Sequence, residues 1–549
     1  MSSRAGCCVA CGGVDYAWTL WFRWLLAFSV VGACGGESMQ THGSVVDDDC
    51  GGAGSFECGN VGCREGGGIG FRSDGGMSCG DVGRGEREGG CVGRGLGGWE
   101  DFDWAEFLVS GGTEEAEYPA VVGLAGGGFV VAWQVPMKNA EGNGCEVAGG
   151  MEAGGRVYAR VYRADGTAVG EAVALEDAFV GVSEGVRLAS LAEGTWVATW
   201  ANHGELISTP GCAPFWMSSF EEAWWAEKGT GPPLWDAGGG VLGRAFNVVG
   251  EPTSEVILLN GTYGDSQMFP NIAAGLDSNK AVAGWWTKSA EDSIWRLEVL
   301  QLGSSLGLGG AEDAVVSGVE ELNGWVLPVA LDTVGEGVIG VAWSQPSDSA
   351  EAVATCDGAA LNATGECILV SRIDLNAGAT FGPFIISCDA QEKSRVWLRH
   401  TYNNNFIVSW AEQVPGKQDW VSYADIVSID ALACSIEQIA NLNGLPNSYI
   451  DDFVQIGNGV VLAVWESSGE YPAGHGDQFD IYIGKISQDS DAVGGQHRIN
   501  RVVAGDQSDV SAAPTSDGGA VLVWRSSGSY QGKDGIFAIR VNSCGYPLR

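Results

Sequence analysis

The chain has 549 residues, of which 45% are hydrophobic and 18% charged, so it can bury a large core. Its formal net charge of −40 repels phosphate backbones, which excludes nucleic acid as an expected partner and leaves cations, basic peptides and neutral glycans. Such an acidic surface is also consistent with solubility alone. Sixteen cysteines are many for a reducing compartment and indicate disulfides in an oxidising one.

The N-terminal segment has the pattern of an export signal. Residues 24–33 (WLLAFSVVGA) are apolar, follow Arg23 and are too few to span a bilayer as a helix. The junction Val31-Gly32-Ala33-Cys34 resembles a bacterial lipobox, which implies that Cys34 is acylated and becomes the mature N-terminus. We expect a signal peptide over residues 1–33 and a lipoprotein of the bacterial cell envelope, at the outer membrane or cell surface. Cleavage after Ala33 with release, which gives a secreted protein, is the alternative.

The composition of residues 34–104 predicts a linker. They are dense in glycine, carry scattered cysteines and show no apolar periodicity, so they lack the apolar surface needed to fold alone. We expect this segment to be a disordered tether that holds the following domain away from the membrane.

From residue 105 onward one unit recurs seven times. A tryptophan ends a short apolar strand, and glycine or asparagine, which tolerate a left-handed backbone, stands six residues earlier. The tryptophans are Trp133, Trp200, Trp285, Trp343, Trp410, Trp465 and Trp524, and the turn residues are Gly127, Gly194, Asn279, Gly337, Asn404, Gly459 and Gly518. A second hairpin follows in most copies, so each unit holds the four strands of one propeller blade.

Both ends of the repeat region predict a closed ring. The last repeat ends after a third strand at 535–543, and an additional strand at 105–113 precedes the first repeat. If that strand completes the last blade, the exposed sheet edges disappear. The predicted fold is therefore all-β, a monomeric seven-bladed β-propeller of four-stranded antiparallel blades over residues 105–549. A β-solenoid and a string of sandwiches are the alternatives, and the tryptophans are interpreted as packing residues.

The repeats resemble those of large bacterial secreted proteins. The shared features are a proline-led apolar strand, an Asp-Gly-Gly turn and an FVVxW-type strand, present here as Tyr118-Pro119, 517–519 and 129–133. The resemblance implies an exported propeller and identifies no catalytic residue.

One candidate binding site is a long insertion after Trp200. Residues 201–238 carry many aromatics, and in a propeller the loop after a second strand emerges on the face that usually binds ligands. The candidate ligand contacts are Trp216, Trp224, Trp225 and Trp235. Alternatively these side chains fold into a small core that caps the ring, stapled by Cys212.

A second candidate is acidic. Carboxylates stand near the starts of innermost strands in five blades: Glu117, Glu184, Glu392, Asp451, Asp452 and Asp509. Converging at the channel mouth, they would attract cations and raise one another's pKa values. The alternative is that they are solvated acids on an acidic protein.

The cysteines of the ring suggest two disulfides. Cys356 and Cys367 bracket a loop within one blade, and Cys145 and Cys212 lie in equivalent loops of adjacent blades. The five histidines form no pair on one element, so we expect neither a metal site nor a cofactor.

No catalytic signature is present. HExxH and P-loop patterns are missing, and no GxSxG pattern is set on a strand-turn-helix. The leading hypothesis is a non-enzymatic binding scaffold for a glycan, peptide or protein. The alternatives are a glycan-active hydrolase or lyase that uses channel-mouth carboxylates, and a structural envelope protein.

Overall fold

The computed structural model describes 22 stretches of the chain between residues 106 and 548. They are 106–111, 115–136, 155–176, 182–203, 240–260, 266–274, 280–288, 295–303, 314–319, 330–333, 338–346, 366–374, 379–389, 391–401, 405–415, 420–430, 435–446, 448–468, 478–486, 493–503, 505–530 and 533–548. The predicted signal peptide, Cys34 and the linker lie outside these residues, as does the aromatic insertion from residue 204 onward. No helix within the described stretches is long and apolar enough to cross a bilayer.

The described strands form seven antiparallel blades, as predicted. Blade 1 contains β2 (Glu117–Gly123), β3 (Phe129–Pro136), β4 (Gly155–Tyr162) and β5 (Val173–Ala174). Blade 2 contains β6 (Val182–Ser190), β7 (Trp196–His203), β8 (Gly240–Phe246) and β9 (Ile257–Leu258). Blade 3 contains β10 (Ser266–Ala274), β11 (Lys280–Lys288), β12 (Trp295–Gly303) and β13 (Ala314–Val319). Blade 4 contains β14 (Ala330–Thr333), β15 (Val338–Pro346), β16 (Glu366–Asp374) and β17 (Ala379–Asp389).

The remaining three blades complete the ring. Blade 5 contains β18 (Lys393–His400), β19 (Asn405–Gln413), β20 (Trp420–Asp430) and β21 (Ser435–Pro446). Blade 6 contains β22 (Ser448–Ile456), β23 (Val460–Ser467), β24 (Asp480–Ile486) and β25 (Val493–Arg498). Blade 7 contains β26 (Gln507–Pro514), β27 (Ala520–Tyr530), β28 (Lys533–Val541) and β1 (Phe107–Leu108).

Strand β1 closes the ring as predicted. Phe107 pairs with Ala538 and Leu108 with Phe537, and Val109 N–H donates to the Ile536 carbonyl at 2.8 Å. The N-terminal strand of the ring therefore covers the outer edge of the C-terminal blade.

The ring is held by apolar cores between blades. One core lies between each pair of neighbours, from blades 1 and 2 around to blades 7 and 1. The seven repeat tryptophans are all buried, which confirms them as packing residues. Several indole N–H groups are also satisfied locally: Trp343 donates to Gln345 Oε1 at 2.9 Å and Trp410 to Glu412 Oε1 at 2.7 Å. These tryptophans therefore fill space and meet the hydrogen-bond requirement of a buried ring, whereas the buried Trp200 Nε1 has no partner among the described residues.

The predicted turn chemistry is confirmed where the turns are described. Gly127 and Gly194 have φ values of +90° and +77°, and Gly459 and Gly518 have values of +71° and +80°. A left-handed backbone is required at each of these positions, which explains the glycine.

One disulfide prediction is wrong. Cys367 is bonded to Cys388, not to Cys356. The physical reason is strand register, because β16 and β17 pair directly and place Cys367 opposite Cys388 with the Cα atoms 4.1 Å apart. Cys356, Cys145 and Cys212 lie outside the described residues.

Candidate functional site: the axial cavity

The first strands of the blades line the axis of the ring. Strands β2, β6, β10, β14, β18, β22 and β26 contact one another in that order, and β26 returns to β2. A side chain on one of these strands can therefore meet side chains from blades far away in sequence.

Six of these seven strands carry a β-bulge at the same place. In each of the six, the pairing between the first and second strands of the blade is interrupted opposite the repeat tryptophan or directly beside it. In five strands the bulge holds a left-handed residue: Tyr118, Gly185, Phe269, Arg395 and Asp509. Blade 2 uses glycine there, whereas four blades keep a side chain in a backbone that costs roughly 1–3 kcal/mol for such residues. Bulges re-aim side chains, and these lie next to the axis.

A cavity of about 240 Å³ lies among the bulged strands. We call it the axial cavity. Its lining comes from β2, β6, β10, β18, β22 and β26 and includes Tyr118, Arg187, Asn271, Trp397, Arg399 and Asp509. Tyr118 has a left-handed backbone, and its side chain is 46% exposed. The cavity thus combines aromatic rings with planar charged and amide groups.

Arg395 joins blades 5 and 6 beside the cavity. Its Nη1 donates to Asp451 Oδ1 at 2.8 Å and also contacts Glu466 Oε1, and its guanidinium lies 4.1 Å from the Tyr449 ring centroid. Burial, with the Glu466 charge second, raises the pKa of Asp451 well above its usual range, although Arg395 opposes the shift. Burial also raises the pKa of Glu466. One guanidinium therefore contacts two buried carboxyl groups, and their raised pKa values mean that ionisation of both at once is disfavoured.

Arg399 and Asp452 form a second link. Arg399 Nε donates to Asp452 Oδ1 at 2.8 Å and its Nη2 to Oδ2 at 3.1 Å, a bidentate pair. Asp452 also accepts Ala512 N–H from blade 7 at 2.9 Å and Phe453 N–H at 2.7 Å. Ser511 Oγ of blade 7 also donates to Oδ2 at 3.5 Å, so the Asp452 carboxylate links blades 5, 6 and 7.

Arg187 has a different environment. It lies on β6 of blade 2, and its guanidinium is 5.8 Å from the ring centroid of Trp397 on blade 5. Blades 2 and 5 are not neighbours, so this contact crosses the axis. Nη1 donates to the Val186 carbonyl at 2.9 Å, whereas the buried Nε has no hydrogen-bond partner among the described residues.

The structure places the predicted acids in different surroundings. Asp451 and Asp509 line the axial cavity, and Asp452 lies beside them in its pair with Arg399. Glu117 pairs with Arg525 at 2.9 Å, between blades 1 and 7. Glu392 is exposed just before β18 and does not line the cavity. For Glu184 the structure fixes only the backbone position, one residue before Gly185; Trp216, Trp224, Trp225 and Trp235 lie outside the described residues.

Sequence reasoning missed the arginines that accompany these acids. Arg187, Arg395 and Arg399 stand within a few residues of predicted acids on the same innermost strands, and that shared strand position was the available signal. Among the described residues no group of three potential metal ligands is present.

Comparisons with known proteins return only distant structural likeness. No family model matches the chain, and no curated protein matches it. A protein of unknown function from Dyadobacter fermentans is 11% identical, with 79% of this chain and 96% of that one covered and a TM-score of 0.44. An ulvan lyase from a new polysaccharide lyase family is 9% identical, covering 78% and 94%, with a TM-score of 0.45. A Penicillium chrysogenum α-L-arabinanase complexed with arabinobiose is 12% identical, covering 65% and 93%, with a TM-score of 0.36. Likeness at this level carries no argument about what this chain binds.

Proposed function

We propose that this protein is a glycan-binding scaffold and that the axial cavity is its binding site. The observation that carries the proposal is the lining itself, in which Tyr118 and Trp397 offer ring faces beside Arg187, Asn271 and Asp509. Aromatic faces pack against the apolar faces of sugar rings, and planar polar groups pair with hydroxyls.

The bulges support this assignment. Glycine would fit a left-handed position without strain, as Gly185 shows in blade 2, yet Tyr118 and Asp509 occupy equivalent positions on the cavity wall. Local backbone strain of this kind concentrates at ligand sites, where the strained residue contributes a side chain that contacts the ligand.

Cavity size limits the ligand. Pockets for drug-sized molecules typically span roughly 300–1,000 Å³, and the axial cavity, at about 240 Å³, is smaller. We therefore expect it to hold one sugar residue or the end of a chain.

A second candidate, a glycan-active hydrolase, is favoured by one observation. Asp451 and Glu466 contact the same Arg395 nitrogen, so two carboxyl groups lie close together, and both have raised pKa values. A carboxyl group that stays protonated near neutral pH can act as a general acid. Binding is preferred because both carboxyl groups already engage Arg395. Release of reducing ends from a bound glycan, abolished in Asp451→Asn, would establish the hydrolase instead.

Glycan-array binding by residues 100–549 tests the proposal. Tyr118→Ala and Trp397→Ala should each weaken binding about tenfold, because a lost aromatic contact removes about 1.5 kcal/mol. Tyr546→Ala, in the C-terminal turn beyond β28, is the matched control and should bind normally. Normal binding by both cavity variants, with loss in Trp224→Ala/Trp225→Ala, would move the site to the insertion.

We also propose that the chain is exported and anchored through Cys34, on the strength of the apolar run and lipobox-like junction. Radioactive fatty acid should label the wild type but not Cys34→Ala. Equal incorporation would eliminate Cys34 as the anchor.

A further inference from the structure

Arg187 differs from the other arginines around the axial cavity in its pairing. Arg395 contacts two carboxyl groups and Arg399 forms a bidentate pair with Asp452. Within the part of the chain that the structure describes, Arg187 makes a hydrogen bond to the Val186 carbonyl and a ring contact with Trp397, and the charges of Asp452 and Asp509 act on it without a hydrogen bond. Neither contact neutralises its charge.

The edge of the Arg187 guanidinium that lacks a hydrogen-bond partner is the edge that binds oxyanions in proteins. Nη1 is occupied by the Val186 carbonyl, which leaves Nε and Nη2. These two N–H groups point the same way and match the two oxygens of a carboxylate or sulfate. The Trp397 ring lies 5.8 Å from the guanidinium carbon, within the range of a cation–π contact.

The described carboxylates whose charges act on Arg187 make their hydrogen bonds to other groups. Asp452 accepts from Arg399, from two backbone N–H groups and from Ser511 Oγ. Asp509 lies on blade 7, where its backbone N–H donates to Glu466 and its carboxylate accepts Ser508 Oγ at 3.3 Å. Arg187, Arg395 and Arg399 line the cavity with Asp451 and Asp509, and Asp452 and Glu466 lie beside it in their pairs with Arg399 and Arg395.

Holding the Arg187 guanidinium in this position also has a cost. Burial, with the Arg399 charge second, lowers the pKa of Arg187, although the charges of Asp452 and Asp509 oppose the shift, so the surroundings on balance disfavour its charged form. A residue that served packing alone would be replaced by an apolar side chain without loss. The position of Arg187 on the cavity wall and its Nε without a hydrogen-bond partner therefore indicate an edge that a ligand can complete.

We propose that Arg187 forms an oxyanion subsite and that the ligand of the axial cavity is an acidic glycan, which carries a uronate carboxylate or a sulfate ester. This inference rests on the proposed glycan-binding function and specifies its ligand class. The sugar ring lies against Tyr118 or Trp397, its hydroxyls donate to Asp509, and its anionic group meets the Nε–Nη2 edge of Arg187.

The experiment compares matched ligands on the full chain. An array of neutral, uronate-containing and sulfated oligosaccharides identifies the class, and calorimetry then measures the best acidic oligosaccharide against its carboxyl-reduced or desulfated form. We expect the wild type to bind the acidic form at least tenfold more tightly. Arg187→Gln should abolish that preference and leave the affinity for the neutral form within about twofold. Arg160→Gln, in the third strand of blade 1, is the control and should behave as wild type.

Each outcome separates the two proposals. Binding of neutral glycans with no preference for acidic ones would overturn the oxyanion subsite and leave the glycan-binding function standing. A preference that survives in Arg187→Gln would place the anion elsewhere and also overturn the subsite. Failure of the wild type to bind any oligosaccharide would overturn the glycan-binding function itself.

Thermal stability supplies a second readout. If Arg187 is retained for a ligand, Arg187→Met in the absence of ligand should melt at or above the wild-type temperature, because it removes a charge that its surroundings disfavour. Melting several degrees below the wild type would show that Arg187 serves the fold, and would overturn the subsite.

Discussion

Glu176 makes the stability of the ring depend on pH. The side chain follows β5 in blade 1, is buried, and accepts a hydrogen bond from Ser183 Oγ of blade 2 at 3.0 Å. Asn202 Nδ2 in turn donates to Ser183 Oγ at 3.1 Å. Burial raises the pKa of Glu176 to about 7, and the Ser183 hydrogen bond, the Val157 backbone and the Arg156 charge oppose the shift less strongly.

The sign follows from proton linkage. An acid whose folded pKa lies above its unfolded value of 4.5 stabilises the fold most at low pH, and that stability is lost as pH rises towards 7. Between pH 5 and pH 8 the loss amounts to about 2.5 kcal/mol, from about 1.4 kcal/mol per unit of pKa difference and partial titration of the unfolded chain at pH 5.

Glu176→Gln tests this value because glutamine imitates the protonated acid. Urea unfolding should find the variant about 3 kcal/mol more stable than wild type at pH 8 and within about 1 kcal/mol at pH 5. Glu255→Gln, at an exposed position in blade 2, is the matched control and should show no such difference. Parallel pH profiles for Glu176→Gln and wild type would refute the reasoning, since they would mean that Glu176 ionises equally in the folded and unfolded chains.

Three further predictions concern the ring and its polar links. Asp452→Asn should lower the free energy of unfolding by about 2–4 kcal/mol, because it breaks the bidentate pair with Arg399 and leaves a partly buried guanidinium without its carboxylate partner. Chemical denaturation measures the loss, and an unchanged midpoint would contradict it. Gly340→Ala would place Cβ 2.3 Å from Phe406 Cε1 between blades 4 and 5, so overpacking should cost about 1–3 kcal/mol, measured in the same way. Deletion of residues 1–111 removes β1 and bares the edge of β28; compared with deletion of residues 1–100, calorimetry should find a melting temperature about 5–10 °C lower, and light scattering should find more aggregation. Equal melting of the two truncated chains would show that β1 does not stabilise the closed ring.

The repeating part of the fold was predictable because its causes are local. A glycine turn, an apolar strand and a tryptophan recur within a few residues, and Trp133, Trp285 and Trp524 all enter cores as that pattern implies. The disulfide was not predictable from loop position, since strand register sets Cys367 against Cys388. Register depends on the whole blade, and loop spacing carries no information about it.

The candidate site was predictable only in part, for a geometric reason. The pattern indicated acids near the axis, and Asp451 and Asp509 do line the cavity. Their relation to the arginines depends on which blades face one another across the ring. Arg187 and Trp397 are far apart in sequence and on non-neighbouring blades, yet a cation–π contact joins them. No local spacing rule contains that pairing.

The strained and charged residues of the axial cavity lie outside the apolar cores, which explains how the ring tolerates destabilising residues there. All seven apolar cores lie between adjacent blades, and closure through β1 adds a further stabilising contact away from the cavity. Left-handed Tyr118 and the disfavoured charge of Arg187 each reduce stability, but both residues line the axial cavity and neither belongs to an apolar core. Stability and recognition therefore rest on different residues: substitutions at Tyr118 or Arg187 should alter ligand binding while the blades stay intact, whereas substitutions at Trp285 or Trp343 should unfold the ring and remove binding only as a consequence.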